Sequence, residues 1–432
     1  MKHIRLKTGI ISSVSMLALM AAPAFAEDRR MGMKDMGMKD MGMMDMGMME
    51  DKGMEDMGMT MMMGKAHLRV GGFFTQGVAA VDADEPTGQT AEEHAILQNS
   101  EIHFNGKAKL DGGTTIGIRV ELEGTTKGDA DLVDEHYLYA KGDWGKVILG
   151  AENGAAHLGS VRGPNFVPGL PQYDNSLTDN VIEDAYDALF GEGVIEDENM
   201  STKIEHISGD ANKITYFSPR LSGFQFGVSY TPNNQDDDGG ESNFSVRSDV
   251  ASGTGTQEQQ DKEVLERRDD VEDIFEFSLS YKMSLMGGSL KLGYSQAEGD
   301  AMEATSADPK SYGYGANFHY GAFRVGGNMT TYEDFKGVSG NDIETVNYGI
   351  SYQLSDNHII GVGYTDSEED SDNPNATGRD RAVDYEEFLI GGGMSLAKGV
   401  KLGYFYQEAE AEVPGQRARD VSLAGITVAL KF

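Results

Sequence analysis

From Leu68 to Phe432 apolar and polar residues alternate with a period of two, segment after segment. In "IFEFSLSYKMSL", Phe275, Phe277, Leu279, Tyr281, Met283 and Leu285 share one face, and Glu276, Ser278, Ser280, Lys282 and Ser284 share the other. "FQFGVSYT" and "TVNYGISYQL" repeat the pattern, with Phe224 to Tyr230 and Val346 to Leu354 on their apolar faces. Strict alternation marks a strand between two different environments, because successive side chains point to opposite faces. A soluble sandwich also alternates, so the pattern alone leaves two architectures open.

The connections separate them. Beginning at Leu68 there are sixteen candidate strands joined by short and long links in rotation. The short ones are "LDGG", "GDWG", "PRLSG", "LMGG", "YGA", "LSDN" and "LAKG", each with the Gly, Asn or Asp that tight hairpins take. Between them lie eight longer links, many acidic, such as "TPNNQDDDGGESN" after Tyr230 and "DSEEDSDNPN" after Thr365. Sixteen antiparallel strands with seven short turns, eight long loops and both ends on one side describe an all-β transmembrane barrel, apolar outside and polar inside. In a bilayer every strand must find a hydrogen-bonded neighbour, so the sheet must close. A ring of this size encloses an aqueous lumen.

Composition narrows the rest. The chain carries 36 Lys+Arg against 71 Asp+Glu, a formal charge of −35, which repels nucleic acid and attracts cations. Cysteine is absent, which excludes disulfides, thiol catalysis and Cys-zinc sites. Residues 1–26 read as a secretory signal: Lys2, Arg5 and Lys7, then an apolar run, then "AFA" at Ala24–Ala26. Histidines are scattered singly and no set of nucleophile and base residues clusters, so a channel is expected and not an enzyme.

Three stretches carry a resemblance to a known family: "LRVGGFFTQGVAAV", "DEHYLYAKGDWGKVILGAENGA" (Asp134–Ala155) and hairpins of the "YGANFHYGAFRVGG" type. The last strand, "SLAGITVALKF", adds Ala424, Ile426, Val428, Leu430 and the terminal Phe432 on one face. With these features the chain resembles the Gram-negative general porins, trimeric and sixteen-stranded, of the alphaproteobacterial type. The resemblance covers Leu68 to Phe432. It implies an outer-membrane homotrimer among lipids and lipopolysaccharide, passing small hydrophilic solutes and ions, with Phe432 resembling the signal read by the outer-membrane assembly machinery. It also implies that Ala151–Gly209, about sixty residues after the fifth barrel strand, folds into the lumen as a constriction loop. That loop contributes Asp174, Asp179, Glu183, Asp184 and Asp187, with Lys107 and Arg119 on the facing wall. The two signs would set a transverse field across the pore. The alternative is that these acids are only a solvated loop face. The acidic outer loops are either plain solvated loops or loose sites for Ca²⁺ or Mg²⁺, which take oxygen ligands. The carboxylate excess points to cation preference.

Residues 27–66 form a separate, low-complexity tail expected to be disordered and periplasmic. Met31–Met63 contains sixteen methionines and no aromatic, Val, Ile or Leu. Thioethers select Cu(I), so Met31, Met33, Met36, Met38, Met41, Met43, Met46 and Met48 are candidate ligands, with His67 nearby. A repeat-expanded spacer or an oxidant buffer fits the same composition. The expected function is passive diffusion through a cation-preferring pore; a copper-linked channel and a non-conducting anchor displaying acidic loops are the alternatives.

Overall fold

The computed structural model describes residues 60–63, 66–86, 88, 90–124, 133–171, 177–191, 193–204, 207–235, 270–371 and 382–432. Its strands are β1 (Thr60–Met63), β2 (Ala66–Ala83), β3 (His94–Lys109), β4 (Thr115–Glu123), β5 (Val133–Gly142), β6 (Gly145–Ala151), β7 (Asn212–Phe217), β8 (Phe224–Asn233) and β9 (Val271–Leu285). They continue as β10 (Gly288–Ala301), β11 (Lys310–Tyr320), β12 (Phe323–Glu333), β13 (Asn341–Ser355), β14 (His358–Ser371), β15 (Val383–Ala397), β16 (Val400–Glu412) and β17 (Arg419–Lys431).

Strands β2 to β17 pair antiparallel with their chain neighbours, and β17 pairs back onto β2 from Val421↔Ala83 to Lys431↔Phe73. The ring of sixteen strands therefore closes. At the seam Phe432 and Gly72 exchange two backbone hydrogen bonds, each 3.1 Å. The seven short turns lie at one end, here the turn end. At β9–β10 the turn is only Met286–Gly287, and both residues take positive φ (52° and 80°), as a two-residue hairpin that follows the strand twist requires.

Two boundaries differ from the sequence reading. The first barrel strand begins at Ala66, and Thr60–Met63, the end of the methionine-rich stretch, pairs with Ala66–Arg69 as β1. This edge of β2 lies beyond the end of β17, so its donors and acceptors are open to pairing. Of "DSEEDSDNPN", the residues through Ser371 belong to β14 and pair with β13 and β15, so this acidic run is largely strand and not loop.

The outward face carries the exposed apolar side chains a bilayer needs, among them Ile96, Ile118, Leu149, Phe275, Ile350 and Ile426. Aromatic pairs flank them: Phe224–Tyr281 and Phe323–Tyr352 toward the turn end, Tyr294–Tyr314 and Tyr348–Tyr364 toward the outer end. The inner wall is polar and buried, with Ser278, Ser295, Thr330, Thr345, Asn347, Thr365 and Gln407 on it.

At the outer ends of β14 to β17 the parity reverses. Tyr385, Leu389, Ala409, Val421 and Leu423 are buried on the inside, whereas Asp366, Glu386, Glu410 and Asp420 stand outward in one cross-strand row. The period of two persists, but here water lies outside the wall and packed protein inside it.

That packed protein is the connection between β6 and β7. It contains α1 (Ala155–Gly159), α2 (Asp179–Phe190) and α3 (Asp197–Met200), and its described residues pack inside the barrel. Its outgoing leg follows the inner wall around the ring. Ala156 lies at β9, Arg162 at β11 where its carbonyl accepts from Asn317 (3.1 Å), and Pro168 at β17 where its carbonyl accepts from Thr427 (2.9 Å). Inward glycines make the seat: a Cβ on Gly315 would fall 1.7 Å from the Val161 carbonyl oxygen. The helix α2 then buries Ile182, Tyr186 and Phe190 among Tyr385, Leu389, Leu423 and Leu97. Three such side chains contribute roughly 5 kcal/mol to holding it there. The return leg passes β13 and β12, where the Glu198 carbonyl accepts from Thr345 (2.6 Å) and the Thr202 carbonyl accepts from Asn328 and Thr330 (3.1 and 3.0 Å).

Candidate functional site: a carboxylate-rich wall beside an anchored lumen segment

Both legs of the segment leave from one buried carboxylate. Glu276 on β9 accepts from the Ala156 backbone N–H (2.9 Å) on the outgoing leg and from the Ser208 hydroxyl on the return. The segment follows the wall from β8 through β17 to β2, where Gly169 touches Thr75. On β3 to β6, α2 covers Leu97 and the start of the segment covers Tyr137 and Ile148, and the inner wall between these contacts is charged.

On that wall the alternation places Glu101 and His103 on β3 beside Arg119, Glu121 and Glu123 on β4, because Glu101↔Glu123 and His103↔Glu121 are direct cross-strand partners. His103 Nε2 lies 2.6 Å from Glu101 Oε2 and 2.9 Å from Glu121 Oε2. Arg119 pairs through Nε with Glu121, and its Nη2 lies 3.3 Å from His103 Nδ1. A guanidinium only donates, so Nδ1 accepts and the imidazole proton sits on Nε2, shared between the two carboxylates. Glu135 on β5 accepts from Asn153 at 3.3 Å, at the base of the lumen segment.

Two groups on this wall have metal-ligand spacing: Glu101, His103 and Glu121, and Glu101, Glu123 and Asp134. The first has its histidine nitrogen committed to a proton by Arg119. The second offers oxygen only, the donor type of Ca²⁺ and Mg²⁺, and it lies on the wall and not on the outer loops.

The sequence-selected residues are distributed as follows. Arg119 is on the inner wall, but its ionic neighbours are Glu121 and Glu135, wall residues like itself. Lys107 is on the same inner face of β3, four residues nearer the turn end than His103. Asp179, Glu183, Asp184 and Asp187 are all on α2, which packs against β17. Asp184 is exposed; Asp187 accepts from the Gly193 N–H (3.0 Å) and closes the helix end; Asp179 accepts from the Asn180 N–H (2.7 Å). The structure thus does not bring the acids of α2 into ionic contact with Arg119: its counter-charges come from its own wall. Asp174 and the methionines Met31 to Met48 lie outside the described residues. His67 is on β2, opposite Met62 of β1 and Lys107 of β3. Phe432 stacks on the lipid-facing Phe74, ring centres 6.3 Å apart. Sequence reasoning missed Glu101, His103, Glu121, Glu123 and Glu135. The signal was present in "EIHF" and "VELE", where charges two apart must share a face.

A family model described as Gram-negative porin matches residues 13–414. Curated relatives are three uncharacterized proteins of Rickettsia species. That of Rickettsia conorii is 22% identical over 288 residues, covering 55% of this chain, and that of Rickettsia typhi 24% over 292, covering 56%. The chain spans 66% of the length of these relatives. Among solved structures, a Salmonella typhi OmpF complex with daunomycin superposes with a TM-score of 0.56 at 13% identity, covering 86% of this chain and all of that one. An anion-selective porin from Comamonas acidovorans gives 0.52 at 16%, covering 84% and 100%. The channel DcaP of Acinetobacter baumannii gives 0.52 at 11%, covering 85% and 97%. At such identities the likeness is one of fold. With the family model across nearly the whole chain and a closed sixteen-stranded ring around a polar lumen, the chain belongs to the Gram-negative porin family.

Proposed function

We propose that the protein is a passive, water-filled diffusion channel for small hydrophilic solutes and ions, that it prefers cations, and that it works as a homotrimer among outer-membrane lipids and lipopolysaccharide. The observation that carries the preference is the wall of β3 to β6. At mid-depth it presents Glu101, Glu121 and Glu123 around the guanidinium of Arg119 and the imidazole of His103. Low-dielectric walls focus the field of such a set into the water between them and raise the local concentration of cations. The selecting mechanism is size exclusion by the lumen segment plus this bias, with no binding-and-turnover cycle.

The test is the reversal potential of the purified protein in a planar bilayer under a KCl gradient. A reversal toward the K⁺ equilibrium value, lost in E121Q/E123Q, supports the reading; a reversal toward Cl⁻ refutes the cation preference. A folded barrel that carries no current refutes the diffusion channel itself. Closure in steps of three supports the trimer.

A further inference from the structure

The chain is strongly acidic, yet the inner wall at the turn end is lined by cations. Inward positions follow from contact with the lumen segment. Gly293 lies against Val161, and Lys291 is the next inward residue below it. Gly403 lies against Pro168, and Lys401 is next below. Arg324 is two residues below Gly326, the partner of the inward Asn317. Lys431 is two inward steps below Thr427, which binds the Pro168 carbonyl. Arg69 and Lys107 continue the ring on β2 and β3. One inward step is two residues, about 7 Å, so Lys291, Arg324 and Lys401 stand one step beneath the lumen segment and Lys431 two, while Arg69 and Lys107 lie on the same inner face toward the turn end.

They are near neighbours. Lys401 lies in the field of Arg324; Lys431 lies in the fields of Arg119, Lys401 and Arg69, with Glu101 acting in the opposite sense. These side chains are half-exposed or exposed, so water and solutes reach them. Like charges held this close on a closed scaffold repel one another, and an anion between them relieves that repulsion.

We infer that the turn-end vestibule is a binding site for small multivalent anions, solutes with two or more carboxylate or phosphate groups, held by the ring that includes Arg324, Lys401 and Lys431. The inference rests on the channel reading above but not on its cation preference. Carboxylates at mid-depth and cations beneath them place two opposite fields in series, so a multivalent anion reaches the ring from the turn-end side and is repelled from the other.

The experiment uses the full protein in a planar bilayer at 0.1 M KCl, with citrate added to one chamber and then to the other. Expected is a block of the KCl current from one side only, at millimolar citrate or below. The block weakens steeply between 0.1 and 1 M KCl, as the screening length falls from about 10 to about 3 Å. In R324Q/K401Q the concentration for half-block rises roughly tenfold, from two charges about 7 Å from a trivalent anion in partly screened water. K310Q, at the outer end, leaves it within twofold. Pyrophosphate in place of citrate tells whether phosphate oxygens serve as well as carboxylates: block by both assigns multivalent anions in general, and block by citrate alone assigns polycarboxylates. No block from either side, equal block from both, or a block indifferent to salt overturns the inference, even if the double variant does not fold. Absence of KCl current before citrate is added would count against the channel reading instead.

Discussion

The anchorage of the lumen segment at Glu276 can be measured directly. One carboxylate, 5% exposed, accepts from Ala156 on the outgoing leg and Ser208 on the return, so E276A leaves the Ala156 N–H buried without an acceptor and the Ser208 hydroxyl with only the long contact to the Gly209 carbonyl (3.4 Å). Each hydrogen bond to a charged group contributes about 1.5–3 kcal/mol, and an unsatisfied buried donor costs a similar amount. Taking about 3 kcal/mol in total, below the simple sum because water enters the space vacated, the docked-to-undocked ratio at the base of the segment falls about 100-fold. The rest of the segment stays in place, since α2 keeps its apolar seat. The chain has no cysteine, so a single thiol reports on the site: Ala156 is fully buried, and A156C labels only when the base opens. The rate of labelling by a small maleimide in A156C/E276A should exceed that in A156C by about two orders of magnitude. E276Q should fall between, because its amide oxygen still accepts one bond while its NH₂ faces the other donor. Equal rates, within twofold, with and without Glu276 would refute the claim that this carboxylate clamps the two legs.

Other consequences follow from the seat and the charge of the same segment. In G315V the new side chain meets the Val161 carbonyl from a strand paired on both sides, so the segment must move; single-channel current should become larger or noisier and the melting temperature should drop by several degrees, whereas G112A, with open space around it, stays within about 0.5 kcal/mol of the parent. Asp197 meets water inside the barrel, yet the protein packed around it and the nearby charges of Glu198, Asp179 and Glu183, opposed by Lys203, push its carboxyl up to about 7. Unfolded, it ionises near 3.8, so between about pH 4 and 7 the folded state holds a proton that the unfolded state lacks, and stability rises as pH falls through that window. Thermal unfolding of D197N against the parent, from pH 8 to 5, should show the parent gaining on the variant as the pH falls; parallel curves would mean that Asp197 titrates normally.

The barrel was legible because its cause is local. Phe275 to Leu285 alternate whatever the rest of the chain does, and the Gly, Asn and Asp of the turns fix where each strand reverses. The errors fell where period two does not reveal which side is wet. "DSEEDSDNPN" looks like a loop because it is acidic, yet Asp366 and Glu368 stand on the outward face of β14 beyond the apolar band, and their inward neighbours Thr365 and Ser367 are buried. Likewise α2 reads as an acid-rich loop, while its apolar stripe of Ile182, Tyr186 and Phe190 decides where it sits. Arg119 was found and His103 was not, since His103 lies sixteen residues away and meets it only through strand register, whereas Glu121, two residues on and on the same face, was legible and overlooked. Which wall the lumen segment covers is set by contacts 100 residues and more apart, such as Ala156–Glu276 and Thr202–Asn328, and no local pattern encodes those.

A net charge of −35 says little about what passes through such a pore, because charge outside the lumen acts only weakly on an ion within it. Part stands on the outward face, where Asp366, Glu386, Glu410 and Asp420 are directly opposed across four strands. Like charges in that position destabilise the pairing, and the barrel tolerates them where each carboxylate keeps its own water above the apolar band. Their field on a lumen ion is screened by solvent and by the wall's own apolar core of Tyr385, Leu389 and Leu423. The ion instead meets Glu101, Glu121 and Glu123 at contact range, then Lys401 and Lys431 a few residues below. Interaction energy falls with distance and with dielectric constant together, so a handful of inward charges outweighs a larger number outside. Replacing the outward row by glutamine should therefore change reversal potential far less than replacing Glu121 and Glu123, although it removes more charge.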